Sequence, residues 1–418
     1  MGIRPWHFFE RECSPNSEIF DGMVSEARYI IDSCLDDFRI DGRSRTDHRP
    51  YTISNRRSSS SSSNSISNGN IKIISTNTTP DLVLSNGSSR IHLPGSTTDV
   101  LCSVKADLVH PSPSRPDAGV CELSVDLSLC GDVLLGSGGG GGGSGGAARR
   151  RRRQDESELS SLLTRLILPH AVDYSQLVVW AGRYVWRLSI DIVILRTDGC
   201  VLDACSMAIR AALIDSRLPR VKAIIDGNTD DGRGGKNEMM GGEFGGAGGG
   251  MGGKNDLLVD GDISRARPPP GAESCPLVVT VSVLRAPLPT NNNGSSMVQQ
   301  YRSIPIIDAR TEEEVCATTR VCVSVDPKGI VCGVHTLGGG GAALSDEEDS
   351  GCGGGGGGSL PLAMLGDIVT SAAMASRNLY TLLNDGDGSG TNISCKMKDV
   401  DNDGGGYGYL LKNHFLIR

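Results

Sequence analysis

The stretch from Tyr184 to Ile224, YVWRLSIDIVILRTDGCVLDACSMAIRAALIDSRLPRVKAI, decides the fold. Its first part alternates: Leu188, Ile190, Ile192 and Ile194 share one face of a strand, with Ser189, Asp191, Val193 and Leu195 on the other. Asp198-Gly199 supplies a turn able to take φ > 0, and the reading folds the chain back into a short strand at Val201-Leu202. From Asp203 the period becomes helical. Ala204, Ala208, Ala211 and Ala212 are small enough to let a helix lie close against a sheet. Pro219 ends it, and Val221 to Ile225 reads as a further strand. The unit expected is hairpin, helix, strand.

Working outward, the chain is uneven. Glycine contributes 56 of 418 residues, well above the average of about 7%, and the excess is concentrated in tracts. Removing those leaves roughly 290 residues of ordinary composition, enough for one or two domains with a sizeable core. Aromatic residues are sparse at 4%, so that core must be built from Val, Ile, Leu and Ala. The net charge of −8 and pI near 5.5 argue against a protein that coats nucleic acid over its whole surface. The N-terminus, MGIRPWHFFERE, carries charge where a signal peptide needs an apolar run, and no segment reaches the length of a membrane span. A soluble intracellular protein is expected. The 13 cysteines form no C-x-x-C and, with 7 scattered histidines, no ligand spacing. They read as buried thiols in a reducing compartment, with no metal and no cofactor.

In chain order, Met23, Ala27, Ile30, Ile31 and Cys34 recur at helical spacing. The run Phe38-Arg39-Ile40-Asp41-Gly42-Arg43 with His48-Arg49-Pro50 leads into a first strand, and Arg56 to Asn70 is a serine-rich loop. Val100 to Asp107 and Gly119 to Leu129 alternate as strands. Gly136 to Gly146 reads as a tether running into Arg149 to Arg153, followed by a helix from Glu156 to about Leu168 that Asp155 and Glu158 would cap. The arginine run has three readings: a solvated flexible segment, a nuclear-localisation patch, or a transient contact to RNA phosphates. After the low-complexity segment 227–271, Leu277 to Leu284 and Ile304 to Ala309 are strands. Thr318 to Val325 and Ile330 to Thr336 form a hairpin, and Pro361 to Leu383 is an amphipathic helix. Strands followed by a helix thus occur twice. The fold class is α+β with two related halves, the second lacking some of the first.

The pattern IDI, DG, LDA, AxxAAL, RLPRV over 184–225, joined by Asn86-Gly87-Ser88-Ser89-Arg90-Ile91 and Thr98-Asp99-Val100, resembles the RNase PH family. Within that family the chain is most similar to the ring subunits of the RNA exosome. The resemblance implies mixed sheets packed on helices, as in ribosomal protein S5 domain 2. It divides the chain into an extension over 1–20, a first unit over 21–225 with insertions near 55–70 and 136–153, and a disordered Gly-rich insertion over 226–274. A second unit follows over 275–383, with an insertion near 338–358, and then a flexible tail over 384–418.

It also implies a site. Active members carry an Asp at the start of one segment and a second Asp six residues later. Here Asp308 matches the first and Glu314 stands at the second. A glutamate is one methylene longer, and a shift of about 1 Å can cost roughly 10²-fold in rate. The family's phosphate-binding Pro-Arg-Ser aligns with Trp186-Arg187-Leu188, keeping Arg187 and losing the serine donor. The expectation is a subunit without catalytic residues, in which Asp308 and Glu314 are vestigial and Arg187 faces RNA. The plain alternative for the two acids is a strand-end acid and a solvated acidic run. The implied partners are other RNase PH-like subunits in a six-membered ring, S1/KH RNA-binding caps and RNA, with no membrane. The implied places are nucleus, nucleolus and cytoplasm. The rival is an active phosphate-dependent 3′→5′ exoribonuclease.

Overall fold

The structure is a computed structural model that describes residues 17–55, 85–93, 96–130, 145–225, 255–287, 301–338, 360 and 362–385. The serine-rich loop and most of the tail expected from the sequence lie outside the described residues. The first half opens with helix α1 (Ser17–Leu35) and strands β1 (Thr52–Asn55), β2 (Gly87–His92), β3 (Asp99–Val109) and β4 (Val120–Asp126). Helices α2 (Gly145–Leu166) and α3 (Leu168–Ala171) follow, then β5 (Val178–Trp180), β6 (Tyr184–Arg196), α4 (Val201–Asp215) and β7 (Val221–Ile225). The second half comprises β8 (Asn255–Val259), β9 (Leu277–Pro287), β10 (Tyr301–Ile307), α5 (Thr311–Cys316), β11 (Thr319–Val325), β12 (Val331–Gly338) and α6 (Leu362–Asp385).

The first sheet runs β1-β2-β3-β6-β4, with β5 also on β6; the second runs β10-β9-β11-β12. Among the described strands only β4 pairs parallel, with β6, so the class is α+β. The alternation in β6 places Leu188, Ile190, Ile192 and Ile194 in the core with at most 1% exposure, while Ser189, Asp191 and Val193 lie on the half-exposed face. Helix α4 packs on β2 and β3 of one sheet and on β9 of the other. Fourteen of its 15 residues are therefore buried, which explains why its alanines surround rather than line one stripe. A single hydrophobic core runs from Tyr51 to Tyr380 through both halves, with a smaller cluster under α1.

Three expectations are corrected. Asp198-Gly199-Cys200 leads straight into α4 at Val201, so the unit is strand–helix–strand and contains no strand at Val201-Leu202. Helix α2 begins at Gly145, so Arg149 to Arg153 are helical, and Asp155 is a buried residue inside the helix and not its cap. The segment 255–274, read as disordered, holds β8 paired antiparallel with β7, from Val221↔Val259 to Ile225↔Asn255.

At Gly199 the two halves meet closely. Its φ is +77, and a Cβ there would lie 2.3 Å from the Ala309 carbonyl oxygen and 2.9 Å from the Thr311 nitrogen. Gly182 has a similar φ of +73 with nothing within 4 Å. Alanine at Gly182 is expected to cost about 1 kcal/mol and alanine at Gly199 about 2–3 kcal/mol by denaturant unfolding. Equal losses would mean that the 309–311 backbone yields without cost.

Candidate functional site

The sequence places Asp308 just past β10, and the structure holds it at φ +51 with no solvent exposure. An aspartate tolerates this left-handed conformation better than a branched residue does. Its carboxylate is fully engaged. The Arg49 backbone N–H donates to Oδ2 at 2.6 Å, Arg49 Nη2 to Oδ1 at 2.7 Å, and Arg43 Nη1 to Oδ2 at 3.2 Å. Burial alone would raise its pKa, but the Arg49 guanidinium and its hydrogen bonds, with help from Arg43, hold it well below the usual carboxylate range.

The same segment is clamped a second time. Arg39, fully buried, donates to the carbonyls of Ile307 and Asp308, each at 2.8 Å, and forms a two-pronged pair with Glu313. Glu313 also accepts the Arg310 N–H at 2.8 Å, closing the first turn of α5. Arg49 Nη1 reaches the Asp198 carbonyl at 2.7 Å, and Arg310 pairs with the Asp198 carboxylate at 3.3 Å. One charge cluster therefore ties the 39–49 segment, the β6–α4 turn and the β10–α5 corner together.

Glu314 sits beside this cluster. Its Oε1 accepts the Cys200 N–H at 2.8 Å, its Oε2 lies 3.4 Å from Arg320, and its side chain is 14% exposed. Burial pushes its pKa up, against the pull of Arg320. Cys200 precedes α4 in a left-handed conformation and offers no side-chain cap of its own. Glu314 therefore places a carboxylate at the positive N-terminal end of α4, the place where a helix otherwise receives an external anion. Neither acid belongs to a solvated run: Asp308 is fully buried, and Glu314, 14% exposed, follows the fully buried Glu313.

Arg187 is not part of this site. It lies on the open face of the first sheet, 39% exposed and paired with Asp107 at 3.1 Å. About 30 Å of strand separate it from the Arg196 end that leads to Asp198. The residues that the sequence reading left without a role are Arg39, Arg43, Arg49 and Glu313. Their partners lie more than 250 positions away, so only the excess of arginine in the 39–49 run hinted at them. Among the described residues no group of three or more His, Cys, Asp or Glu is placed to hold a metal, all ten cysteines are free, and eight of them are buried. No helix among the described residues is long and apolar enough to cross a membrane.

Comparison with known proteins agrees with this architecture. Residues 47–219 match the family model described as 3′ exoribonuclease family, domain 1. Exosome complex component RRP45A of Arabidopsis thaliana is 24% identical over 319 residues, covering 75% of this chain and 76% of that protein. The putative exosome complex exonuclease RRP42 of Dictyostelium discoideum is 30% identical over 244 residues, covering 48% of this chain and 65% of the relative. Exosome complex component Rrp42 of Sulfurisphaera tokodaii is 27% identical over 196 residues, 46% of this chain and 57% of its own length. A chain of the Archaeoglobus fulgidus exosome with RNA bound to the active site superposes with a TM-score of 0.50 at 19% identity, covering 87% of this chain and 99% of that one, a likeness of fold. The matched residues 47–219 hold the first sheet and α4, and over that part the chain is similar to the first domain of the 3′ exoribonuclease family, RNase PH.

Proposed function

We propose that this chain is a non-catalytic RNase PH-like subunit of an RNA exosome, a scaffold and channel-wall component of 3′→5′ RNA processing and degradation. One observation carries the reading: the two acids that would have to serve catalysis are already spent inside the fold. Asp308 neutralises Arg49 and Arg43, and Glu314 fills the N-terminus of α4. Releasing either would leave a buried arginine or an uncapped helix behind. The chain sits with other RNase PH-like subunits in a six-membered ring that carries S1/KH RNA-binding caps, and works on RNA in nucleus, nucleolus and cytoplasm. The relatives named as exosome components support the assembly, and the fold supports the kind of subunit.

Affinity purification of the tagged chain from its own cells, followed by mass spectrometry, is expected to recover other RNase PH-like proteins together with RNA-binding caps. The purified chain is expected to release no nucleoside diphosphate from RNA when phosphate is supplied. Recovery of the chain alone, together with phosphate-dependent release that disappears in Glu314→Ala, would establish the phosphorolytic enzyme instead.

A further inference from the structure

Helix α2 buries Leu159, Leu162 and Leu163 at 1% exposure or less. At 100° per residue these three leucines cluster on one side, and, the half-buried Ser160 apart, a sector of about 120° turned away from them holds Arg149, at its edge, with Arg150, Arg153, Ser157, Ser161 and Thr164. All six are exposed. The neighbouring acids are turned to other uses. Asp155 is buried, Glu156, beside the Arg149 edge of the sector, is half-buried and accepts the Leu127 N–H at 3.1 Å, and the exposed Glu158 projects about 60° outside the sector. No ion pair is made by Arg149, Arg150 or Arg153 among the described residues. A chain of net charge −8 thus carries an acid-free outer stripe of guanidinium and hydroxyl groups about 22 Å long.

Those are the side chains that contact phosphate oxygens, and the stripe contains no aromatic residue on which a base could stack. A helical run also presents its arginines around a rod, which does not suit a receptor that reads a basic peptide in extended form. We propose that the outer face of α2 from Arg149 to Thr164 binds the phosphate backbone of RNA without regard to sequence. Arg149, Arg150 and Arg153 neutralise phosphates, and the three hydroxyls donate along the strand. The like charges at 149, 152 and 153 repel one another on the free helix, so a bound polyanion also firms up this end of α2. The stripe stands apart from the Asp308 cluster, and its test is made on the full chain alone, so that its failure is distinguishable from failure of the assembly reading.

The experiment is a fluorescence-polarisation titration with labelled oligo(A) and oligo(U) RNA across about 50–200 mM salt. The two RNAs are expected to bind alike. The combined R149A/R150A/R153A variant is expected to bind at least about tenfold more weakly at 0.1 M salt, with a log–log salt slope shallower by about 2, three phosphates at roughly 0.7 each. The corresponding triple lysine variant is expected to keep most of the slope. As a readout that needs no variant, RNA is expected to slow amide exchange over 145–154 in the natural chain. Unchanged affinity and slope in the alanine variant overturn the proposal. So does polyglutamate that binds with the same arginine dependence and strength as RNA, because the stripe would then serve an acidic protein surface.

Discussion

Arg49→Ala is expected to lower the unfolding free energy by about 3–5 kcal/mol, the range for removing one member of a buried ion pair. The size follows from what is left behind. Asp308 has no solvent exposure, and without Arg49 it keeps only Arg43 at 3.2 Å as a charged donor. The Asp198 carbonyl also loses its 2.7 Å donor, so two of the three joined segments loosen together. Asp308→Asn alone is expected to be comparably damaging, because it strands Arg49. The Arg49→Met/Asp308→Asn double variant is expected to lose much less than the sum of the two, a coupling of about 2 kcal/mol or more. Additive losses in urea melts would show that the pair is incidental to the fold. The sign with pH is fixed as well. The folded-state pKa of Asp308 is depressed, so its contribution is fully present above the unfolded value near 4 and is lost as the pH falls below it. The gap between the natural chain and Arg49→Ala should therefore narrow in acid.

Much of this fold could be read before any coordinates, and the reasons are local. Strand β6 was legible because four branched or aliphatic side chains alternate without interruption, and α6 because its apolar residues recur at helical spacing. The start of α2 was not, because glycines and a block of five arginines carry no apolar period; that turn is held by packing further along the helix. Helix α5 escaped because six residues are too few for a period to register. Val201-Leu202 was misread as strand because β-branched and leucine residues serve either state, and burial between two sheets decided for helix. The candidate site divides the same way. Asp308 and Glu314 could be picked out only through the family resemblance, and their roles depend on Arg49, Arg43, Cys200 and Arg320, which long-range folding alone brings into contact. Arg187 was placed by alignment to one motif, and the length of β6 removes it from the acids it was meant to serve.

The second large effect is a pH profile. Asp203, in the first turn of α4, faces β9, where the Thr280 N–H donates to it at 3.0 Å and the Thr280 hydroxyl lies at 2.6 Å. Burial pushes its carboxyl up to about 8; the Thr280 hydrogen bonds work against the rise, and the nearby Asp308 and Glu314 charges work for it. With its pKa raised to about 8 the carboxyl is mostly protonated at neutral pH, and in that form its O–H can donate to the Thr280 hydroxyl, which donates to the carboxylate when the proton is lost. That hydroxyl in turn reaches Cys322 Sγ at 3.7 Å. Because the folded pKa lies above the unfolded one, the contribution is fully present below about pH 4 and is lost as the pH rises towards 8. Asparagine reproduces the protonated form, accepting the Thr280 N–H with its oxygen and donating to the hydroxyl with its nitrogen, and it has nothing to ionise. Asp203→Asn is thus expected to match the natural chain at pH 4–5 and to exceed it by a margin that grows through pH 8, on the order of 3–5 kcal/mol at about 1.4 kcal/mol per pH unit. Asp203→Ala, which strands the Thr280 N–H, is expected to be weaker than Asp203→Asn at every pH by about 1–3 kcal/mol. Urea melts at unit steps of pH decide it. An Asp203→Asn curve parallel to that of the natural chain would mean that the buried carboxyl is ionised throughout, with Thr280 alone sustaining its charge.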